Sequence, residues 1–198
     1  MFVQDCYVCT SDAYLAEGDI YLRPWKMTFS DVTGLHNIYS NNEVAAWSNV
    51  PCYRSRIDAV CDVRRFVSEQ IYLAVCVASL GDKPVGILGG RIASGNSKIA
   101  VINYALNPEF EHRGIMCTAV RLFTAWLFNR FAIDAVVGNV YKGNCKSSRC
   151  LLRCGYILYP NLSFYEDTLS GTLHADAYII PREVYNHSPL YTNCRHFF

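Results

Sequence analysis

An apolar, strand-like run from Ile99 to Leu106 passes through a polar turn around Arg113-Gly114 straight into an amphipathic run from Ile115 to about Phe128. A strand that stops at a glycine turn and restarts as a helix leaves the helix's first N–H groups without helical acceptors, with the positive end of the helix dipole behind them. Such a helix start suits phosphate. Gly114 fits that role because a side chain there would stand between a phosphate and the backbone. The same run also fits a plain strand-to-helix turn that binds nothing, and the turn alone does not separate the two.

Periodicity extends the pattern along the chain. Strands are predicted at 19–24, 71–78, 84–92, 98–107 and 132–141, with closing strands at 156–165 and 175–181. A first helix is predicted from a Ser30 cap, with Asp31 in its first turn, Val32, Leu35 and Ile38 on its apolar face, and a stop at Ser40-Asn-Asn. A second covers 56–72, with Val60, Val63, Phe66 and Val67 at helical spacing. A third runs from 115 to about 129, with Ile115, Ala119, Leu122 and Trp126 on one stripe, and a fourth from 145 to 154. Residues 1–18 carry no clear period and read as an extension. Residues 182–198 read as a short tail, which leaves 19–181 as the domain. The order is that of a mixed α/β domain around one sheet.

Composition narrows the partners. The chain has 198 residues, enough to bury most of the apolar surface of one domain. Its 18 basic and 17 acidic residues leave a net charge of +1, which gives no field for steering nucleic acid or an anionic membrane. No apolar run is long enough to span a bilayer, and Met1-Phe-Val-Gln-Asp-Cys6 lacks a signal-peptide layout. The expected location is the cytoplasm. Cysteine stands at 6, 9, 52, 61, 76, 117, 145, 150, 154 and 194. Cys6-x-x-Cys9 has metal or redox spacing but no second pair at a partner distance, so neither a zinc site nor a disulfide framework is expected. Cys150 and Cys154 fall one turn apart on an apolar helix side, and the thiols are read as mostly core.

Four segments carry a resemblance. Ile20-Tyr-Leu-Arg-Pro-Trp25, followed by Ser30-Asp-Val-Thr-Gly-Leu-His-Asn-Ile38, resembles the first strand and helix of the GCN5-related N-acetyltransferases (GNAT). Lys83-Pro-Val-Gly-Ile-Leu-Gly-Gly90 resembles the start of that family's third strand. Pro108-Glu-Phe-Glu-His-Arg-Gly-Ile-Met116 resembles its acyl-CoA loop, Gln/Arg-x-x-Gly-x-Gly/Ala, with Glu111, Gly114 and Met116 at the fixed positions. Only the glycine matches the strict pattern, but the wider form is typical of the Rim branch, which acetylates ribosomal-protein N-termini. Asn144-Cys-Lys-Ser-Ser-Arg-Cys-Leu-Leu-Arg-Cys-Gly-Tyr156 resembles the family's Asn-x-x-Ser-x-x-x-Leu-x-x-x-Gly-Phe helix. The likeness runs from about Ile20 to Ile180. It implies a GNAT-like α/β fold, with a mixed, mostly antiparallel central sheet and helices on both faces. The family's fourth and fifth strands, 98–107 and 132–141 here, splay apart around the pantetheine arm.

The resemblance also implies roles. His112, Arg113, Gly114, Ile115, Met116 and Cys117 would offer backbone donors to the pyrophosphate of acetyl-CoA, and Leu106 a backbone N–H to the acetyl carbonyl. Arg113 is either a charge-assisted contact or a solvated loop cation. Glu111 puts an anion where the family has Gln or Arg, which weakens affinity unless it points away. Asn144 matches the residue that holds pantetheine and equally reads as a helix cap. Leu151 occupies the position of the tyrosine acid of many relatives, so Ser147, as in the Rim branch, would assist thiolate departure. The family's strand glutamate is replaced by Val101. Glu166 then aligns with the Rim carboxylate, as a base or as a plain surface group, with His174 as an alternative.

An α-amine, with pKa about 7.7–8, needs a weaker base than lysine at about 10.4. The reading is therefore an acetyl-CoA-dependent N-acetyltransferase acting on a protein or peptide N-terminus, as monomer or homodimer, without metal. A small-amine acetyltransferase (polyamine, aminoglycoside or amino-acid analogue) and a non-catalytic acyl-CoA-binding module are the alternatives.

Overall fold

The computed structural model describes residues 6–93 and 98–192. Its strands are β1 (Cys6–Tyr7), β2 (Leu15–Glu17), β3 (Ile20–Pro24), β4 (Tyr72–Val77), β5 (Pro84–Ile92), β6 (Ile99–Leu106), β7 (Ala135–Tyr141), β8 (Ile157–Thr168) and β9 (Gly171–Pro181). The helices are α1 (Phe29–Tyr39), α2 (Asn42–Trp47), α3 (Arg56–Glu69), α4 (Ile115–Arg130), α5 (Cys145–Arg153) and α6 (Arg182–His187). The described residues fall into two compact units, Val8–Gly89 with Tyr104–Ala119 and the remainder, and β5, β6 and α4 pass from one into the other.

In the Val8–Gly89 unit, β2, β3, β4 and β5 form an antiparallel succession, with Leu15 opposite Leu22, Ile20 opposite Val77 and Tyr72 opposite Gly89. Helices α1 and α3 close an apolar cluster that holds Trp25, Leu35, Ile38, Ala59, Val63 and Phe66. Each such large side chain contributes about 1.5–3 kcal/mol by leaving water. A buried ion pair fastens α1 to β3. The Arg23 guanidinium donates to both oxygens of Asp31, at 2.9 and 2.8 Å, and Asp31 also accepts from the Lys26 N–H. Arg23, Lys26 and Tyr21 further converge on Asp82. Burial alone would raise the Asp82 carboxyl, but the hydrogen bonds from Lys26, Arg23 and Tyr21 outweigh it and hold the group at about 2.

The other unit pairs β1 with the end of β5, and then runs β6, β7, β9, β8. β6 and β7 are parallel, while β7–β9 and β8–β9 are antiparallel. The parallel register extends from Ile99↔Ala135 to Ile102↔Gly138, although β6 continues to Leu106 and β7 to Tyr141. That early end of the ladder is the expected splay. Gly138 has its place because Leu151 of α5 lies over it: a Cβ there would stand 2.7 Å from Leu151 Cδ1. Arg182 closes α4 by donating to the carbonyls of Phe128, Phe131 and Ile133, the charge a helix C-terminus favours.

Several local expectations change. Thr28, not Ser30, caps α1, accepting from the Asp31 N–H, and Ser30 lies inside the helix. α3 stops at Glu69, three residues short of the predicted end, because Gln70 turns left-handed at φ 52°. Asn41 caps the unpredicted α2, in the segment read as a stop. Leu15–Glu17 is a strand rather than part of an extension. Within the predicted tail, the described residues 182–192 form α6 and a 3₁₀ turn, whose Tyr185 and Tyr191 are buried. Of the eight described cysteines, Cys76, Cys150 and Cys154 are buried and Cys9, Cys61 and Cys145 exposed, so the thiols are not mostly core. Cys6 and Cys194 lie outside what the structure describes of side chains. No described helix is long and apolar enough to cross a membrane.

Candidate active site

The turn after β6 is built by its backbone. Asn107 ends the strand, donating its N–H to the Val85 carbonyl at 2.9 Å while its Oδ1 accepts from the Glu109 N–H. Pro108–Phe110 make a 3₁₀ turn. Two left-handed residues follow, His112 at φ 62° and Gly114 at φ 75°. A left-handed histidine costs conformational energy, which a turn retains only when its surroundings fix it. Thr118 N–H, bonded to the Gly114 carbonyl at 3.0 Å, opens the hydrogen-bond ladder of α4. Ile115 and Met116, ahead of it, lie in the first turn of the helix.

Ile115 and Met116 bury their side chains and Cys117 is half-buried, which anchors the turn from below. A Cβ at Gly114 would meet nothing within 4 Å, so the backbone at this point stands clear. An open helix start of this kind suits an anion. Arg113 lies over the Phe110 ring at 5.3 Å and donates to the Glu109 carbonyl at 3.0 Å, so its charge is parked on its own turn. Glu111 is mostly covered and lies 3.8 Å from the exposed His112 ring. Leu106 ends β6 immediately before the turn.

The remaining candidate residues belong to the other unit. Asn144 caps α5, its Oδ1 accepting from the Ser147 N–H at 3.1 Å, so the cap reading holds. Ser147 is half-buried in the first turn of α5. Leu151 is fully buried and Tyr156 is core, sharing a 2.7 Å hydrogen bond with Thr124. Neither offers an acid to solvent. Glu166 lies on β8 opposite Leu173 and accepts from the Tyr141 hydroxyl at 2.8 Å. Burial, and then that bond to Glu166, push Tyr141 up to about 12, so it stays a donor at neutral pH. His174 has its ring edge-on to Tyr165, and its Nδ1 lies 3.5 Å from Asp176 Oδ1.

Strand alternation sorts these groups by face. Tyr141 faces with Ala175, Leu173 and Glu166. His174 and Asp176 point the other way with Val140 and Gly138, toward Leu151 of α5. Ser147, carried by α5, and Glu166 thus belong to opposite faces of β7–β9–β8. Tyr141 escaped the sequence reading because β8 was ended at Tyr165 and β9 begun at Ala175. That cut left Glu166 in a loop with no cross-strand partner. The signal that it belongs to a hairpin is the Leu169-Ser-Gly171 turn between two alternating runs.

Residues 19–157 match the Acetyltransferase (GNAT) domain family. The chain belongs to that family of acetyl-CoA-dependent acetyltransferases. Solved structures agree on the fold. A GNAT-family acetyltransferase from Bacillus anthracis superposes with a TM-score of 0.75 at 14% identity, covering 86% of this chain and 99% of that one. Ribosomal-protein-S5-alanine acetyltransferase from Vibrio fischeri gives 0.67 at 16% identity over 87% and 98%. Aminoglycoside acetyltransferase AAC(6')-Ib, in complex with coenzyme A, gives 0.65 at 16% over 85% and 98%. No curated protein matches in sequence.

Proposed function

We propose that this acetyltransferase belongs to the Rim-like branch and acetylates the α-amine of a protein or peptide N-terminus. The observation that carries the reading is Glu166, an exposed carboxylate on β8 that the Tyr141 hydroxyl holds at 2.8 Å. Ser147 stands on the α5 face, with Asn144 capping the same helix turn. Acyl transfer needs a proton acceptor for the amine and a proton donor for the departing thiolate, and these tasks are assigned to Glu166 and Ser147.

Each group is weak, and each suits its task. A serine is a sufficient donor to a thiolate that is already a good leaving group. A carboxylate, acting through water, is a sufficient acceptor for an amine whose own pKa is about 7.7–8. Val101 supplies no carboxylate on β6, which leaves little to deprotonate lysine. The backbone of residues 112–117, with Leu106 before it, is assigned to acetyl-CoA. It holds and orients the donor substrate.

Thiol release from acetyl-CoA, followed across N-terminal peptides, polyamines and aminoglycosides, tests the assignment. Turnover is expected with peptides that carry a free α-amine. Turnover confined to a small amine would replace the acceptor, and binding without turnover on any acceptor would make the chain a non-catalytic acyl-CoA module.

A further inference from the structure

We infer that Tyr141 is a positioning residue for the acetylation step: its hydroxyl engages one carboxylate oxygen of Glu166 and leaves the other aimed at the acceptor amine. The inference rests on the reading of Glu166 as the base. Tyr141 is the last residue of β7 and pairs with Ala175 on β9, while Glu166 pairs with Leu173 two residues back along β9. The two side chains are therefore diagonal neighbours across β9 on one face, a geometry that fixes both. The Tyr141 hydroxyl donates to Glu166 Oε2 at 2.8 Å. Oε1 has no such bond from Tyr141 and is the oxygen left to take a proton.

An exposed glutamate on a hairpin has three side-chain torsions to lose. A second-strand hydroxyl that removes that freedom in advance gives a weak base a defined approach. Other titratable groups facing Glu166 are few. Among the described residues of β7, β8 and β9, that face also carries Tyr159, beyond the break in register, whereas Tyr165, Asp167, His174 and Asp176 lie on the other. No described cation from these strands competes with Tyr141 for Glu166.

The test follows Glu166 directly. Carbon-13 NMR of the labelled Glu166 side chain, in wild type and Tyr141→Phe, is expected to show one held rotamer in wild type and averaging among rotamers when the hydroxyl is removed. In parallel, kcat with acetyl-CoA and a hexapeptide bearing a free N-terminal alanine should fall several-fold in Tyr141→Phe with little change in KM. Adding Tyr141→Phe to Glu166→Gln should cost nothing further. An unchanged Glu166 rotamer distribution overturns the inference, even if Tyr141→Phe is less heat-stable, because that pattern marks a merely structural tyrosine. A Glu166→Gln enzyme at wild-type rate would remove the base and, with it, the step that Tyr141 is inferred to serve. Absence of peptide turnover by wild type would instead overturn the α-amine acceptor, while the rotamer measurement would still decide whether Tyr141 holds Glu166.

Discussion

The turn at residues 107–117 and the three-strand surface around Glu166 solve different problems with different materials. The turn is a backbone device. Its features are two positive φ angles, a buried Ile115–Met116 anchor and an unobstructed Gly114, and its Arg113 is occupied by Phe110 and Glu109. The Glu166 surface is a side-chain device, in which a carboxylate and a phenol depend on register to meet. A backbone site tolerates change in most side chains, because the donors belong to every residue type. A side-chain site is lost by one substitution or one register slip.

The largest effect should come from filling the backbone site. Gly114→Glu puts a carboxylate and a strained left-handed residue where the pyrophosphate is assigned. Acetyl-CoA binding in calorimetry should fall by about 100-fold or more, a loss of about 2.7 kcal/mol, while thermal unfolding stays cooperative. Unchanged affinity would move the donor substrate elsewhere. Next comes the serine. Ser147→Ala should lower kcat by about 10-fold with little change in acetyl-CoA affinity, as expected for an interaction made only in the transition state. A full-rate variant would hand the leaving group to water.

How much of this was legible depends on which material a region uses. The Gly114 turn stood out because glycine at a strand-to-helix junction is a local signal, and β5 came out with its predicted bounds, Pro84–Ile92, between turn residues on both sides. The β8–β9 hairpin did not. The predicted strand 156–165 stops short of Glu166, yet the chain bulges between Tyr159 and Phe164, resumes pairing at Phe164↔Ala175 and runs on to Thr168. The packed end of the chain was hidden for a related reason. Tyr185 and Tyr191 are spaced for neither strand nor long helix, and their burial comes from Phe128 and from the Cys154 carbonyl, far away in sequence. Tyr141 and Glu166 are 25 residues apart, and only the register of two ladders joins them.

A smaller effect sharpens the side-chain half. Glu166→Gln should reduce kcat/KM most below the amine's pKa of about 7.7–8, where most acceptor still carries its extra proton. The loss should shrink as pH rises past about 8, since the amine then deprotonates unaided. A loss that ignores pH would make Glu166 a holder of the substrate cation, and no loss at any pH would make it a surface carboxylate. The smallest effect belongs to Arg113. If the turn binds through its backbone, Arg113→Ala should weaken acetyl-CoA by less than about five-fold, within the range of an exposed ion pair. A hundred-fold loss would turn the backbone site into a side-chain site and erase the contrast.

The central claim is that the acetyl group goes to an α-amine, and one substrate decides it. A peptide with a free N-terminal alanine and one internal lysine offers both amines at equal concentration to the same enzyme molecule. After limited turnover with acetyl-CoA at pH 7.5, fragmentation mass spectrometry locates the acetyl group. Acetyl on the terminal nitrogen and none on lysine is the predicted result, and acetyl on the lysine side chain would contradict it.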